Sequence, residues 1–382
     1  MPNLDLNRTV VDRPGFEVFA DGTQLRDEIA VRAVSISKSV NKIPTARLVI
    51  EDGSIPDQDF PNSNMDELLP GVEVEIKMGY RDEFETVFKG IIIRHGLKTQ
   101  QNARSLLTLD LKDVAIKMTV GRKNKYFKEV TDSDIIEEII DQYGFDKDVE
   151  ATTLNHSEMV QYYCTDWDFM ASRTETNGQL IFVDDGTITT KAPDLSQTAK
   201  MTLSYGQNII EFNMEIDARD QFSGVESTAW DFGQQEIISS EAADPGIPEQ
   251  GNIANNDLAD VLGVENAPFV HGGRVNSEEL QSWADARFMR SKLSKVKGRI
   301  RIIGHSNIKP GDIVELEGMG DRFNGTAFVS SVGHSYGPGN PWFTDLEIGY
   351  SSDDYVGCDV QRGMYYGYNG QDYDPDDGET LG

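Results

Sequence analysis

A short run of this chain recurs 240 residues further on, and it constrains the possible folds more than any other feature. Pro70-Gly71-Val72-Glu73-Val74-Glu75-Ile76 is matched by Pro310-Gly311-Asp312-Ile313-Val314-Glu315-Leu316, and at the same offset Thr86-Val87-Phe88 is matched by Thr326-Ala327-Phe328. Each copy reads as a Pro-Gly turn, an alternating strand, an irregular connection and a second strand, the pattern of a β-hairpin unit with one buried face. A third strand follows each, Leu106 to Leu111 in the first copy and Phe343 to Ile348 in the second. One chain with two similar β-domains can build a ring of six quasi-equivalent units from three copies, because a closed ring needs only one repeated pair of interfaces. Such a ring matches a six-fold tube. The competing reading is coincidence, since any all-β chain reuses Pro-Gly turns and alternating Val and Ile.

With 382 residues the chain is long enough for two or more domains with sizeable cores. No apolar run approaches the roughly 20 residues that span a bilayer, and the Met1-Pro2-Asn3-Leu4-Asp5 start has no basic-then-apolar leader pattern. A soluble protein without a classical export signal is expected. There are 65 acidic against 35 basic residues, a formal net charge of −30, so most of the surface repels nucleic acid and anionic membranes. No direct nucleic-acid binding is expected. The two cysteines, Cys164 and Cys358, are too few for a disulfide framework or a thiolate metal site and read as ordinary thiols.

To about residue 116 the chain is strand-like: Val31 to Ser37, Ala46 to Glu51, Val72 to Met78, Val87 to His95 and Leu106 to Leu111 suit a small barrel or sandwich. Between them the acidic, Pro-containing stretch Asp52 to Leu69 reads as a long surface connection. The texture then turns helical. Thr131 to Asp134 offers a cap and acidic first-turn residues ahead of Ile135, Ile136, Ile139, Ile140 and Tyr143, with Gly144 as the stop. A second helix starts at Thr165, with Asp168 placed for a capping box, and ends at Asn177-Gly178. Leu180 to Val183 and Thr187 to Lys191 flank the turn Asp184-Asp185-Gly186 as a hairpin. Strands return at Ile209 to Ile216 and Val225 to Trp230, and residues 233–275 show little periodicity and are expected to be loop or short helix. Asn276 or Ser277 caps a last helix carrying Leu280, Trp283, Ala284, Arg287 and Phe288 on one stripe, before the strands 299–303, 312–317, 326–333 and 343–349.

Signs of chemistry are few. His95, His156, His271, His305 and His334 have no His-x-x-x-His or His-Glu-x-x-His spacing, and no Gly-x-Ser-x-Gly elbow or phosphate-binding Gly-Lys-Ser/Thr loop occurs. His334, at a strand end, reads as a structural hydrogen-bonding residue. Asp372, Asp374 and Asp376 alternate as in a calcium loop, but Asp377 stands where glycine is required and Pro375 intrudes. Catalytic residues, metals and cofactors are therefore expected to be none.

The run Gln161-Tyr162-Tyr163-Cys164-Thr165-Asp166-Trp167-Asp168-Phe169-Met170-Ala171-Ser172-Arg173, closing at Asn177-Gly178 and Leu180-Ile181-Phe182, resembles the central segment of VgrG-type spike proteins and phage baseplate hub (late control) proteins. So do Gly206-Gln207-Asn208-Ile209-Ile210-Glu211-Phe212, and Lys309-Pro310-Gly311-Asp312 with Val329-Ser330-Ser331-Val332-Gly333-His334. The likeness runs in the same order over about residues 30–350. It implies a mainly β fold with α+β inserts: two homologous tube-like antiparallel β-barrel domains and the start of an OB-fold spike at the C-terminus. The implied organisation is a first barrel over 1–116, an α+β insert over 117–203, a second barrel from 204–232 and 293–352, a loop/helix insert over 233–292, and a linker with spike entry over 353–382. It implies a non-enzymatic hub of a contractile injection machine, a homotrimer adapting a hexameric inner tube to a three-fold spike. Its partners are then itself, the inner tube protein, baseplate proteins, a spike or spike-tip protein and effector cargo. Assembly in the bacterial cytoplasm, as part of a phage tail-like particle or secretion apparatus, and later release follow from the same likeness. The tail, from Gly363-Met364-Tyr365-Tyr366 to Leu381-Gly382, resembles the entry to that OB-fold, which predicts a longer parent polypeptide; an acidic tail is the other reading. A cell-wall or glycan hydrolase of β-rich architecture is the alternative function. The net charge predicts an acidic bore, with the connections Asp52 to Leu69 and Ala242 to Asp260 on the outside.

Overall fold

Alternating apolar and polar residues give most strands one face that must be covered, and in this computed structural model most of the strands share a single 13-stranded sheet. The structure describes residues 14–350 apart from 27, 82, 100–103, 264–265, 273–274 and 339. Cys358, the Asp372–Asp376 pattern and the OB-fold entry lie outside the described residues.

The first unit consists of β1 (Pro14–Ala20), β2 (Thr23–Gln24), β3 (Val31–Ser39), β4 (Thr45–Asp52), β5 (Glu73–Tyr80), β6 (Glu83–Lys98) and β7 (Ser105–Lys112), all antiparallel in the order β3-β4-β7-β6-β5-β1-β2. The long β6 pairs with β5 through its first half and with β7 through its second, so it carries the sheet around the core. Val34, Ile36, Leu48, Ile50, Val74, Ile76, Leu107, Leu109 and Leu111 fill that core. Each such side chain contributes about 1.5–3 kcal/mol of burial. The connection after β4 runs over the surface, and it tucks Leu68 into the core as an anchor.

An α+β insert follows: β8 (Lys123–Thr131), α1 (Asp132–Asp141), β9 (Asp146–Val149), β10 (Asn155–Cys164), α2 (Asp166–Thr176), β11 (Leu180–Asp184) and β12 (Thr187–Lys191). Thr131 and Asp134 form a reciprocal capping box on α1, and the Thr165 hydroxyl accepts the Asp168 N–H at the start of α2. Gly178, at φ +67°, turns the chain out of α2. Ile135, Ile136, Ile139 and Ile140 pack with Trp167, Phe169, Met170, Ile181 and Ile188 in a separate core. Asp185 and Gly186 both have positive φ, the twist that a two-residue hairpin turn requires.

The second unit opens with β13 (Thr202–Ser204) and β14 (Ile209–Ile216). A second insert follows: β15 (Gly224–Asp231), β16 (Glu236–Glu241), α3 (Asn255–Leu262), β17 (Asn266–His271) and α4 (Ser277–Leu293). The unit is completed by β18 (Val296–Ile303), β19 (Ile313–Glu317), β20 (Gly325–Gly337) and β21 (Asn340–Ile348). Two expectations change here. Val225 to Trp230 is a strand, but β15 pairs with β16 and β17 in a three-stranded sheet of its own instead of joining the second barrel. Residues 233–275, expected as loop or short helix, hold α3 and also two strands, which the sequence hides because β16 is nearly all polar or exposed. The small sheet is stabilised by α4, whose Ala284 and Phe288 pack on Val225 and Phe269.

The second unit repeats the first. Its strands run β14-β18-β21-β20-β19-β13, as β3-β4-β7-β6-β5-β1 do, with the difference that β13 joins in parallel where β1 is antiparallel. Gly71 donates to the Ile92 carbonyl at 2.8 Å and Ile92 donates to Val72 at 3.0 Å; Gly311 donates to Val329 at 2.8 Å and Val329 donates to Asp312 at 3.0 Å. Both glycines have positive φ, +102° and +94°. The β-bulges recur as well: between Val31 and Ala33 against Ile209 and Glu211, and between Ile92 and Arg94 against Val329 and Ser331. These matches refine the sequence repeat. The Pro-Gly turns are 240 residues apart, but Ile92 matches Val329, 237 residues on, so Thr86-Val87-Phe88 and Thr326-Ala327-Phe328 are not structural equivalents.

Candidate assembly surfaces

The two units are joined edge to edge by β20 and β3, antiparallel from Ser331 opposite Ser39 to Tyr336 opposite Val34. Ser39 donates to the Ser331 hydroxyl at 2.8 Å. Beneath the joint His334 is buried, 3.1 Å from the Thr344 hydroxyl, and burial pushes its imidazole down to about 3. Trp342 of β21 stacks on Tyr80 of β5 at 5.4 Å and lies in the first unit's core, and Tyr336 meets Phe16 edge-on at 4.9 Å. The second unit therefore closes one end of the first.

The hairpin turn of the α+β insert clamps both units. Lys38 of β3 donates to Asp184 at 2.5 Å and to Asp185 at 3.1 Å, and Lys309, ahead of β19, donates to Asp184 at 2.5 Å. Burial raises the Asp184 carboxyl, but the two lysines outweigh it and hold the group below its ordinary value. Asp113, whose carboxyl is raised by burial, accepts the Gly186 N–H at 2.9 Å and so fixes the turn from behind. The sequence marks this Asp-Asp-Gly run as a turn; nothing local marks it as a clamp between residues so far away in the chain.

Much of the motif Gln161–Arg173 is built into the core of the insert, with Tyr162 and Tyr163 exposed. Asp166, buried, accepts from Gln161, Lys123 and Tyr143, while Trp167, Phe169 and Met170 point into the core. Arg173 donates two hydrogen bonds to buried Asp132, at 2.6 and 3.0 Å, with His156 at 3.1 Å and Asn177 at 2.8 Å from the same carboxylate. Burial alone raises the Asp132 carboxyl, but the hydrogen bond from His156 and the charge on Arg173 hold it well below the usual range. Glu279 of α4 lies 3.5 Å from Arg173, so this buried set ties the two inserts together. No spacing rule reveals that set, because its members come from α1, β10, α2 and α4.

The histidines are dispersed. His95 contacts the Ser63 hydroxyl and the Leu68 carbonyl, His271 meets Trp283 edge-on, and the backbone N–H of His305 donates to the Thr344 hydroxyl that His334 also meets. Among the described residues no group of three or more His, Cys, Asp or Glu side chains could hold a metal ion, and no helix is long and apolar enough to cross a membrane.

The sheet face turned away from the cores is polar and carries both signs of charge. Arg47 donates to Asp110 at 2.7 Å with Arg94 3.5 Å from the same carboxylate; in the second unit Arg299 and Arg301 share Asp345, each at 2.8 Å. Such exposed pairs are each worth about 0.2–1 kcal/mol, so their effect is on surface charge more than on stability.

Comparison with known proteins agrees with this architecture. A tail protein from Neisseria meningitidis MC58 superposes with a TM-score of 0.66 at 16% identity, over 89% of this chain and 97% of that one. The 43 kDa tail protein of prophage MuSo2 from Shewanella oneidensis gives 0.65 at 12% identity, over 88% and 98%. The E. coli c3393 protein, a type VI secretion component with structural similarity to T4 bacteriophage tail proteins gp27 and gp5, gives 0.54 at 12% identity, over 88% and 77%. No curated protein matches the chain. The chain belongs to the family described as Alg8 N-terminal domain, which matches residues 11–337, and its mainly β fold is the one built by these tail and secretion-system proteins.

Proposed function

We propose that the protein is a structural hub, or spike base, of a contractile injection machine: a homotrimer whose two barrels alternate around a pseudo-six-fold ring that adapts a hexameric inner tube to a three-fold spike. One observation carries this reading. Two units with the same strand order, the same pair of bulges and the same glycine turn are joined edge to edge in one chain. Two similar units per chain are what a three-fold assembly needs to present six similar positions. The fold shared with tail proteins and a type VI secretion component supports the same role. On this reading the barrels occupy about 14–116 and 202–216 with 296–350, and the segments between them face the baseplate. The inner tube, baseplate proteins, a spike or spike tip and cargo are the partners, and the particle is assembled in the bacterial cytoplasm. The polar sheet face lines the bore. On it Arg47 and Arg94 share Asp110 and Arg299 and Arg301 share Asp345, which favours a bore of mixed charge over the acidic lining that the net charge suggests, with the acidic excess serving solubility.

Native mass spectrometry of the purified chain tests the assembly. A species of three chains is expected, and electron microscopy of it should show six lobes alternating in kind. A strict monomer, or a ring of six chains, overturns the reading.

A further inference from the structure

Among the described residues, the repeat leaves open two strand edges whose counterparts are joined inside the chain. β20 holds β19 with the start of one edge and β3 with the rest of that edge. Its counterpart β6 holds β5 only as far as Ile91, and among the described residues no strand pairs with the remainder of that edge. The counterpart of β3 is β14, which ends the sheet with no strand on its outer side among the described residues. We propose that the second half of β6 pairs antiparallel with β14 of a second copy of this chain, repeating the β20–β3 joint between molecules. The proposal rests on the trimer reading and specifies how its subunits meet.

The internal joint dictates the register. Ile36 corresponds to Met214, since each sits opposite the matching residue of the next strand, Ala46 in one case and Gly298 in the other. His334 corresponds to Leu97, five residues past the shared hydrogen-bonded position at Val329 and Ile92. Because His334 lies opposite Ile36, Leu97 lies opposite the partner's Met214. Gly96, which takes the place of Gly333, then faces the partner's Glu215, and Arg94 faces the partner's Asp217.

The chemistry of the two edges favours a second copy as the occupant. β6 brings Arg94 and Lys98, and β14 brings Glu211 and Glu215, so opposite charges meet on the polar face. On β6 Ile93 and Leu97 are 40% and 43% exposed, and on β14 Ile210 is 49% exposed. An uncovered edge with apolar side chains is an aggregation hazard, and strand pairing removes it.

Cysteine pairs test the register. Opposed residues on antiparallel strands alternate between hydrogen-bonded and closer non-hydrogen-bonded pairs, so one of two adjacent pairs suits a disulfide. Leu97→Cys with Met214→Cys, and separately Gly96→Cys with Glu215→Cys, are made in a Cys358→Ser background. One of the two is expected to give a non-reducing ladder ending at three chains, and Leu97→Cys with Ile216→Cys, shifted by two residues, at least tenfold less. If the shifted pair links and the matched pairs do not, the pairing is overturned and the trimer stands; if the chain stays monomeric, the trimer reading falls and the pairing with it. In the unmodified protein, amide exchange at residues 94–98 and 212–216 should slow at least tenfold on assembly. Unchanged exchange there in a demonstrated trimer also overturns the pairing, whatever the cysteine variants do.

Discussion

The first unit passes from β3 to β4 within residues 40–44, whereas the second places residues 217–295, a small sheet and two helices, between β14 and β18. Strand order is the same in both, and two of the bulges recur. The difference teaches that this sheet is specified by inward-facing alternation and register more than by the length of its connections. Loop-closure cost rises only by about 0.6 kcal/mol per doubling of length, so a long insert is tolerated where both ends of the connection are already held. The units also differ in what closes their cores. The first takes Trp342 from β21, whose counterpart on β7 is the small Ser105; the second is backed instead by Leu180 and Leu293 of the two inserts, which cluster with Ile313 and Phe328.

The largest expected effect comes from removing that borrowed side chain. Trp342→Ala should lose about 3–5 kcal/mol in denaturant unfolding, the usual cost of truncating a buried aromatic, whereas Ser105→Ala should change stability by less than about 0.5 kcal/mol. Equal effects would mean that the two strand starts do the same job. Next, the equivalent glycines should respond unequally. Gly71→Ala meets open space and carries only the cost of a positive φ, about 1–2 kcal/mol; at Gly311 an added Cβ falls 2.6 Å from the Phe182 ring, so Gly311→Ala should cost about 2–4 kcal/mol. If thermal melts place the two variants together, the contact of the α+β insert with the second barrel is looser than the packing implies.

The smallest expected effect is the pH dependence of the joint. His334 is depressed to about 3 in the folded chain, from an ordinary value of 6.5. A depressed imidazole favours the folded state above its unfolded value, and that contribution is lost as pH falls from about 6.5 toward 3. Between pH 7 and pH 5 the loss is about 2 kcal/mol, at about 1.4 kcal/mol per pH unit once the unfolded histidine is protonated. His305, also lowered by burial, acts in the same direction. His334→Gln should flatten the pH profile of stability even though it lowers the whole curve. A profile as steep as the parent's would remove His334 from the account.

The sequence by itself determined the features that a few neighbouring residues control. Thr131 and Thr165 cap helices because their hydroxyls reach N–H groups three residues on, and Gly178 ends α2 because a left-handed residue is needed there. Asp185-Gly186 makes a tight turn for the same kind of reason, and the Pro-Gly repeat exposed the duplication because each turn needs a positive φ before its strand. Only the tertiary structure decided which strands share a sheet. β15 reads like a barrel strand, and β16 hardly reads as a strand, until α4 packs against their sheet. The shift from 240 to 237 residues, the β20–β3 joint, the Asp184 clamp and the Asp132–Arg173 pair are equally invisible along the chain. The physical reason is range: caps and turns are satisfied by adjacent backbone, whereas register, buried ion pairs and sheet membership depend on partners brought close only when the whole chain folds.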